Sequence, residues 1–582
     1  MSLRPGRRSS IRGRRPALAL AAVALLLLAL AGVAQAQTLT VTNLSDSGVS
    51  GDGSLRGELA AANAAPGADT IAFAAGLSGT ISLSGNGLQV TDPVDLEGPG
   101  PAQITVAQQS PNRVIHVNLG SPGAVTISGL HIAGGTAPNF GYHANYGGDI
   151  LNDTTNAIAD LTIVDSVISG GTAPSDGGGI ESFDAPLTLL ASTVSGNHAV
   201  VGGGIEAGGV AGFTIQGSTI SGNSADIEAG GLNGSVEGAD GLIEGSTIAG
   251  NISKEDEGGV AVYADKSGNF TLRNSTVAGN VAEGNGGLGN GGGLVLGTDT
   301  TGTISLQGST VASNRAGGHA PFGDGGGILA NPSNVSLQNT IVAGNSSLNG
   351  PDVYGSFGAA FSLIGNPAGA KPAETVAASD LIGIDPQLGP LQDNGGPTPT
   401  MALPPGSPAV NKGGGALTTD QRGDARPVIY PGVPLSSALG ANGADIGAYE
   451  LAAPAPPVTS SPSAPPAGTN QPPPPTKTGL HPPRVRVSCP KSAVPAGCRF
   501  ALQVFSTKPH MPKRRRARAA KPVAESLVAT ANVRPGKSAE PTLIPKPKFA
   551  ARLDAAKSLL VREVARIAGK RSVSYRRMSV VG

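Results

Sequence analysis

The sequence predicts an all-β fold, a parallel β-helix, and three observations lead to it. A six-residue phrase recurs at irregular spacing: STVSGN ends at Asn197, STISGN at Asn223, STIAGN at Asn251, STVAGN at Asn280, STVASN at Asn314 and TIVAGN at Asn345. A glycine-rich phrase alternates with it, ending at Ile180, Ile205, Leu232, Val260, Leu294 and Ile328. Between them stand short runs rich in β-branched residues, such as FTI at 213–215, and nothing in the repeat region has helical spacing. Such self-similarity marks a solenoid, whose units bury their apolar faces only by stacking on one another.

Each column of the stack then has an expected role. Val194, Ile220, Ile248, Val277, Val311 and Ile341 are expected inside, on coils about 4.8 Å apart. Inward positions in the preceding strands include Leu187, Leu189, Phe213, Ile215 and Leu242. Asn197, Asn223, Asn251, Asn280, Asn314 and Asn345 close each phrase at a tight bend, where stacked amides can hydrogen-bond as a ladder.

Residues 1–36 read as a secretory signal: six arginines, an apolar run at 17–30, then Ala34, Gln35, Ala36. Nothing after them is long and apolar enough to span a bilayer, so the expected location is secreted or cell-surface. Residues 37–135 are the N-terminal cap and first coils, with a helix within 53–70 across the open end. Regular repeats occupy 136–380 and a turn-rich closing segment 381–450. Residues 451–483, with 12 prolines in 33 positions, form an extended linker. A small basic domain fills 484–582, with strands near 484–489, 500–505 and 572–581 and a helix-like period over 548–569. Its Cys489 and Cys498 are a disulfide candidate.

The formal charge of zero hides an asymmetry. Residues 37–450 carry 10 Lys and Arg against 36 Asp and Glu, net −26, while 451–582 carry 24 against 4, net +20. The body therefore repels polyanions, and any anionic partner is expected at the tail, where KRRRARAAK at 513–521 suits an acidic envelope polymer better than nucleic acid, against the plainer expectation of a flexible charged loop with no specific partner.

GSLRGELAAANAAPGADTIAF at 53–73 resembles the CSLREA-type motif of bacterial exported β-helix proteins, with Gly53 in place of its Cys. LQDNGGPTPTMALPPGSPAVNKG at 391–413, TDQRG, ARP and DIGAYE are similar to a choice-of-anchor closing segment. The repeats resemble those of polymorphic outer-membrane proteins and the pectate-lyase-like superfamily. The resemblance implies a right-handed β-helix that is exported, and it implies no activity.

Aligning coils on the glycine phrase gives two acidic columns. Four residues before the apolar position stand Asp176, Val201, Glu228, Asp256, Asn290 and Asp324; one residue after it stand Glu181, Glu206, Asn233 and Ala261. Glu181 and Glu206 fall on adjacent coils. With Asp176 and Glu228 they are the candidates for an acid pair or a weak calcium site, against the plainer expectation of turn carboxylates and a solvated face. Lys254, Lys266 and Arg273 read as surface charge pairing, and His116, His131, His143, His198 and His319 as isolated side chains. Tyr142, Tyr146, Phe183 and Tyr263 offer a small aromatic platform. The functional expectation is a non-catalytic exported protein for adhesion or for binding envelope or extracellular polysaccharide, with a polysaccharide lyase or glycoside hydrolase as the alternative.

Overall fold

The computed structural model describes residues 36–454, apart from 140–143, 300, 318–322 and 332–333, together with strands between 484 and 581. The chain winds into a parallel β-helix whose successive coils pair strand for strand. Ile180–Phe183 pairs with Ile205–Gly209, Leu187–Leu190 with Phe213–Gln216, and Thr193–Ser195 with Thr219–Ser221, all parallel. A fourth short ladder follows the Asn corner, through His198–Val201, Ser224–Glu228, Ile252–Ser253, Val281–Ala282 and Arg315–Ala316. It adds a side to the three-strand coil expected from the repeat.

Val194, Ile220, Ile248, Val277 and Val311 stack inside as fully buried side chains. Burying each contributes roughly 1.5–3 kcal/mol. The column continues with Val342 rather than Ile341, because Val311 pairs with Val342 and Ile341 takes the outward place held by Thr310. There Ile341 packs on Leu403, Val410 and Ile446 of the closing segment. Leu242 is likewise displaced: Ile243 pairs with Ile215 and is buried, while Gly241 pairs with Phe213. The Phe213 and Phe270 rings of the flanking coils, 6.1 Å apart, fill the space beside that glycine. A Cβ on Gly241 would stand 3.2 Å and 3.1 Å from them.

The six phrase-ending asparagines form a buried, one-way ladder. The backbone N–H and Nδ2 of Asn197 both donate to Oδ1 of Asn223 (3.0 Å each), and the pattern repeats through Asn251, Asn280, Asn314 and Asn345. Each Nδ2 also donates to a backbone carbonyl of the preceding coil, as Asn251 does to Ile220 at 3.0 Å. The ladder ends on Asp352, whose Oδ1 accepts both donors of Asn345 at 2.9 Å.

Helix α1 (Leu55–Ala64) covers the first coils with Leu55, Leu59 and Ala62 buried. Ser54 caps it by accepting from Gly57 N–H, and Glu58 accepts from Gly53 N–H at 2.7 Å. Asn63 clasps the coil edge, donating to Gln89 O and accepting from Thr91 N–H. The conspicuous residues of that motif are therefore caps and clasps.

The closing segment does not simply finish the stack. It runs back along the outside of the phrase strands as a strap. Buried Gln421 donates to Ser246 O and Thr247 Oγ1 and accepts from Thr276 Oγ1 at 2.6 Å. Asn274 donates to Thr419 O, and Ala448 N–H to Thr310 Oγ1. Arg426 and Glu450 form a buried ion pair at 2.8 Å that ties the ARP and DIGAYE stretches together.

In the tail, Arg484–Val485, Cys498–Val504, Ala529–Val533, Ser558–Ile567 and Lys570–Val581 form an antiparallel sheet. The helical period over 548–569 gives way there to Ser558–Ile567, a strand paired along its whole length with Lys570–Val581. Local period is ambiguous for β-branched runs, and hairpin pairing decides. Cys489, the basic run 513–521, the Pro-rich stretch 455–483 and residues 1–35 lie outside the described residues. No helix among the described residues is long and apolar enough to cross a membrane.

Two variants test these interactions. Asn251→Ala removes both donors and both accepting roles of a buried amide, and should lower unfolding free energy by about 3 kcal/mol in urea titration. Gln421→Ala should speed limited proteolysis within 390–450 while far-ultraviolet circular dichroism of the coils stays unchanged.

Candidate active site

The outward column that holds His116 continues through Leu151, Glu181, Glu206, Asn233 and Ala261. Over its acidic part lies a cleft of about 470 Å³, lined by Tyr146, Leu151, Asn152, Asp153, Thr154, Asp176, Glu181, Phe183, Asp184 and Glu206. Glu181 and Glu206 are paired in register, as the alignment requires.

The expected solvated face is not what surrounds them. Glu181 is 6% and Glu206 7% exposed. The turn entering each strand folds over its own glutamate: Gly177 and Gly202 take left-handed φ of 66° and 60°. A Cβ there would stand 2.8 Å from Glu181 Oε2 and 3.0 Å from Glu206 Oε2. Glycine is what lets the carboxylates sit under the turn. Both of those Oε2 atoms are buried without a hydrogen-bond partner.

Burial pushes the Glu181 carboxyl well above its ordinary range, and the charges of Glu206 and Asp176 push it further. Burial likewise raises Glu206, then Asp176; Asn233 Nδ2, donating to Glu206 Oε1 at 3.2 Å, opposes this. Asp176 and Glu228 are themselves raised by burial, Glu228 also by Asp256 and Glu255. The four candidate acids thus act on one another. Among the described residues no group of three or more His, Cys, Asp or Glu side chains is arranged to hold a metal ion.

Two basic groups near the cleft depart from the sequence reading, in which His116 is an isolated side chain and Arg113 is not singled out. His116 Nε2 stands 3.0 Å from Asp153 Oδ2 on the cleft wall. Buried Arg113 reaches beneath, donating to Tyr146 O at 2.9 Å, and burial lowers its pKa to about 10. The signal for His116 was available: it alternates with inward Ile115 and Val117 and shares the glutamates' column. Asp153 and Arg113 sit in turns, where no period marks them. Lys254, Lys266 and Arg273 form surface pairs with Asp226, Glu237 and Glu244 of the preceding coil, away from the cleft. His131 bonds Ser169 and His198 bonds Ser224; Tyr142, His143 and His319 lie outside the described residues.

A third buried glutamate, Glu257, accepts from Tyr263 OH at 3.0 Å, and burial, then Glu228, raises its pKa to about 7. A carboxyl with folded pKa above its unfolded 4.5 binds more protons in the native state across that interval. Stability from this group is therefore full at low pH and lost as pH rises from about 4.5 to about 7. Glu257→Gln should flatten part of the fall in melting temperature between pH 5 and pH 8; an unchanged slope would contradict the assignment.

No family model matches the sequence, and no curated protein sequence matches it. Among solved structures, the chain is similar to pectate lyase Pel9A at 16% identity, covering 72% of this chain and 97% of that one, with a TM-score of 0.39. It is also similar to the A-module of the Azotobacter vinelandii mannuronan C-5 epimerase AlgE4 at 13% identity, covering 56% and 90%, with a TM-score of 0.32.

Proposed function

We propose that the chain is a glycoside hydrolase acting in the Glu181 cleft, on a glycan that is not a polyuronate. The observation that carries this is the register-paired, buried Glu181 and Glu206 opening onto a cleft that is also lined by Asp153, which His116 of the same column contacts. A cleft with basic groups beside the carboxylates favours the catalytic alternative over a non-catalytic adhesin.

The roles follow from the surroundings of each group. Asn233 donates to Glu206 and so favours its charged form, which leaves the shared proton on Glu181 as the general acid for the glycosidic oxygen. The negative Glu206 lies where positive charge develops on the sugar. Asp153 stands one coil and about two residues from Glu181, roughly 8 Å by strand geometry. That spacing suits a base that activates water in an inverting reaction, with His116 orienting it. Tyr146 and Phe183 offer apolar surface for a sugar ring. A lyase would need a cation facing a uronate carboxylate. Arg113 is occupied by backbone carbonyls, and the acidic lining repels such a substrate.

The signal-like character of residues 1–36 supports a secreted or cell-surface location for this activity, and the basic residues of 484–582 would hold the protein on an anionic envelope polymer. The test is reducing-end release from a panel of neutral, amino and acidic oligosaccharides. Glu181→Gln and Asp153→Asn should each lower kcat by about 10²–10⁴, with inversion at the anomeric carbon seen by NMR in the wild type. Binding without turnover of any oligosaccharide would return the protein to the adhesin reading.

A further inference from the structure

Three residues before each inward apolar position, the coils need left-handed backbone. Gly147, Gly177, Gly202, Gly291, Gly325 and Gly350 supply it, with φ between 60° and 69°. Two coils depart from this: Ala229 has φ 55° and Glu257 φ 63°. A glutamate is a poor choice for that backbone, and strain of this kind collects where function requires a side chain.

The Glu257 side chain is 6% exposed, and its Oε2 is buried without a partner. Tyr263 OH donates to Oε1. The titratable groups facing it are Glu228, Asp256, Tyr263 and, from the cleft, Glu206. Asp256 is already engaged, accepting from Asn290 and Leu288 N–H. No Lys, Arg or His among the described residues pairs with Glu257 or Glu228, since the nearby Lys254, Lys266 and Arg273 pair elsewhere. The Tyr263 ring, 41% exposed, lies over Gly297 of the next coil, where a Cβ would stand 2.6 Å from it. Ala229 and Ala261 leave the neighbouring positions small.

We infer that Glu257 and the Tyr263 ring form a subsite for a primary ammonium group, so that the glycan taken by the cleft carries free-amine sugars; this rests on the hydrolase reading. A carboxylate whose second oxygen is buried without a hydrogen-bond partner, beside an exposed aromatic ring, matches an ammonium, which gains a charge-assisted hydrogen bond from one and a cation–π contact from the other. A metal ion would need more oxygen ligands than stand here. Glu257 lies two coils from Glu206, about 10 Å along the stack, within reach of one oligosaccharide that also fills the cleft.

The test is calorimetry on the full chain with a glucosamine oligomer, its N-acetylated counterpart and 1,4-diaminobutane. The free-amine oligomer should bind at least about tenfold tighter than the acetylated one, as expected for one desolvated charge pair. Glu257→Gln and Glu257→Gly should each remove that difference. Glu257→Gly should also raise the melting temperature, because it restores the glycine of the other coils, so lost binding there is not lost folding. Binding of the diamine as well would show that the subsite reads the ammonium alone; binding of the diamine only would overturn the glycan assignment. Equal affinity for both oligomers, or undiminished preference in both variants, would overturn the subsite. Amine-selective binding without turnover would sink the hydrolase and keep the subsite, whereas cleavage of neutral glycans with no amine preference would do the reverse.

Discussion

The regular coils from Asn197 to Asp352 depend on a buried amide ladder that runs in one direction. A solenoid has no long-range topology to fix its register, and an aliphatic column alone tolerates sliding. An asparagine that donates twice to the next asparagine and once to the coil behind has one acceptable alignment, since any slip leaves buried polar groups unpaired. Such a chain of donors must end on something that only accepts. Asp352 does so, and it takes the Asn366 N–H as well; burial raises its pKa, and these three donors oppose that rise.

Register is also what makes the candidate site. Glu181 faces Glu206 only because Asn197 and Asn223 hold their coils in step at the corner. The strap fixes the next two coils, those of Asn233 and Ala261, from outside. Gln421 reaches two successive phrase strands, through Thr247 and Thr276. Ladder and strap therefore grip the stack at places remote from the cleft, so the register of the coils does not depend on the cleft residues.

Most of the architecture was legible because the repeat writes each column several times. The ladder asparagines and the Glu181–Glu206 pairing follow from alignment alone. Errors arose where a copy departs from the others. TIVAGN carries an apolar Ile341 where the other copies have threonine, although Val342 keeps the inward place three residues before the Asn, and the Gly241 coil carries an apolar Leu242 beside Ile243, which keeps the inward place of Ile215. Burial of the glutamates was not legible, because alternation says only which side of a strand a residue leaves. The turns that fold over that side are set by glycines whose φ no periodicity reports. Asp153 and Arg113 belong to such turns. Glu257 was visible in principle as a glutamate in a glycine column, a conflict that has meaning only once the column is known to be left-handed.

The acidic column also shows a limit that stacking imposes. Coil spacing near 4.8 Å brings identical side chains on successive coils closer than two buried carboxylates can share while both are charged. Aliphatic and amide columns extend without limit because neighbours attract or bond. A carboxylate column cannot, and here it ends after two residues, passing to Asn233 and then Ala261. Asn233 closes the pair by donating to Glu206, while Leu151 bounds it on the other side. A shared proton is thus the condition on which the pair can be buried at all, and a protonated acid beside an ionised one is the state that acid catalysis of glycoside cleavage requires.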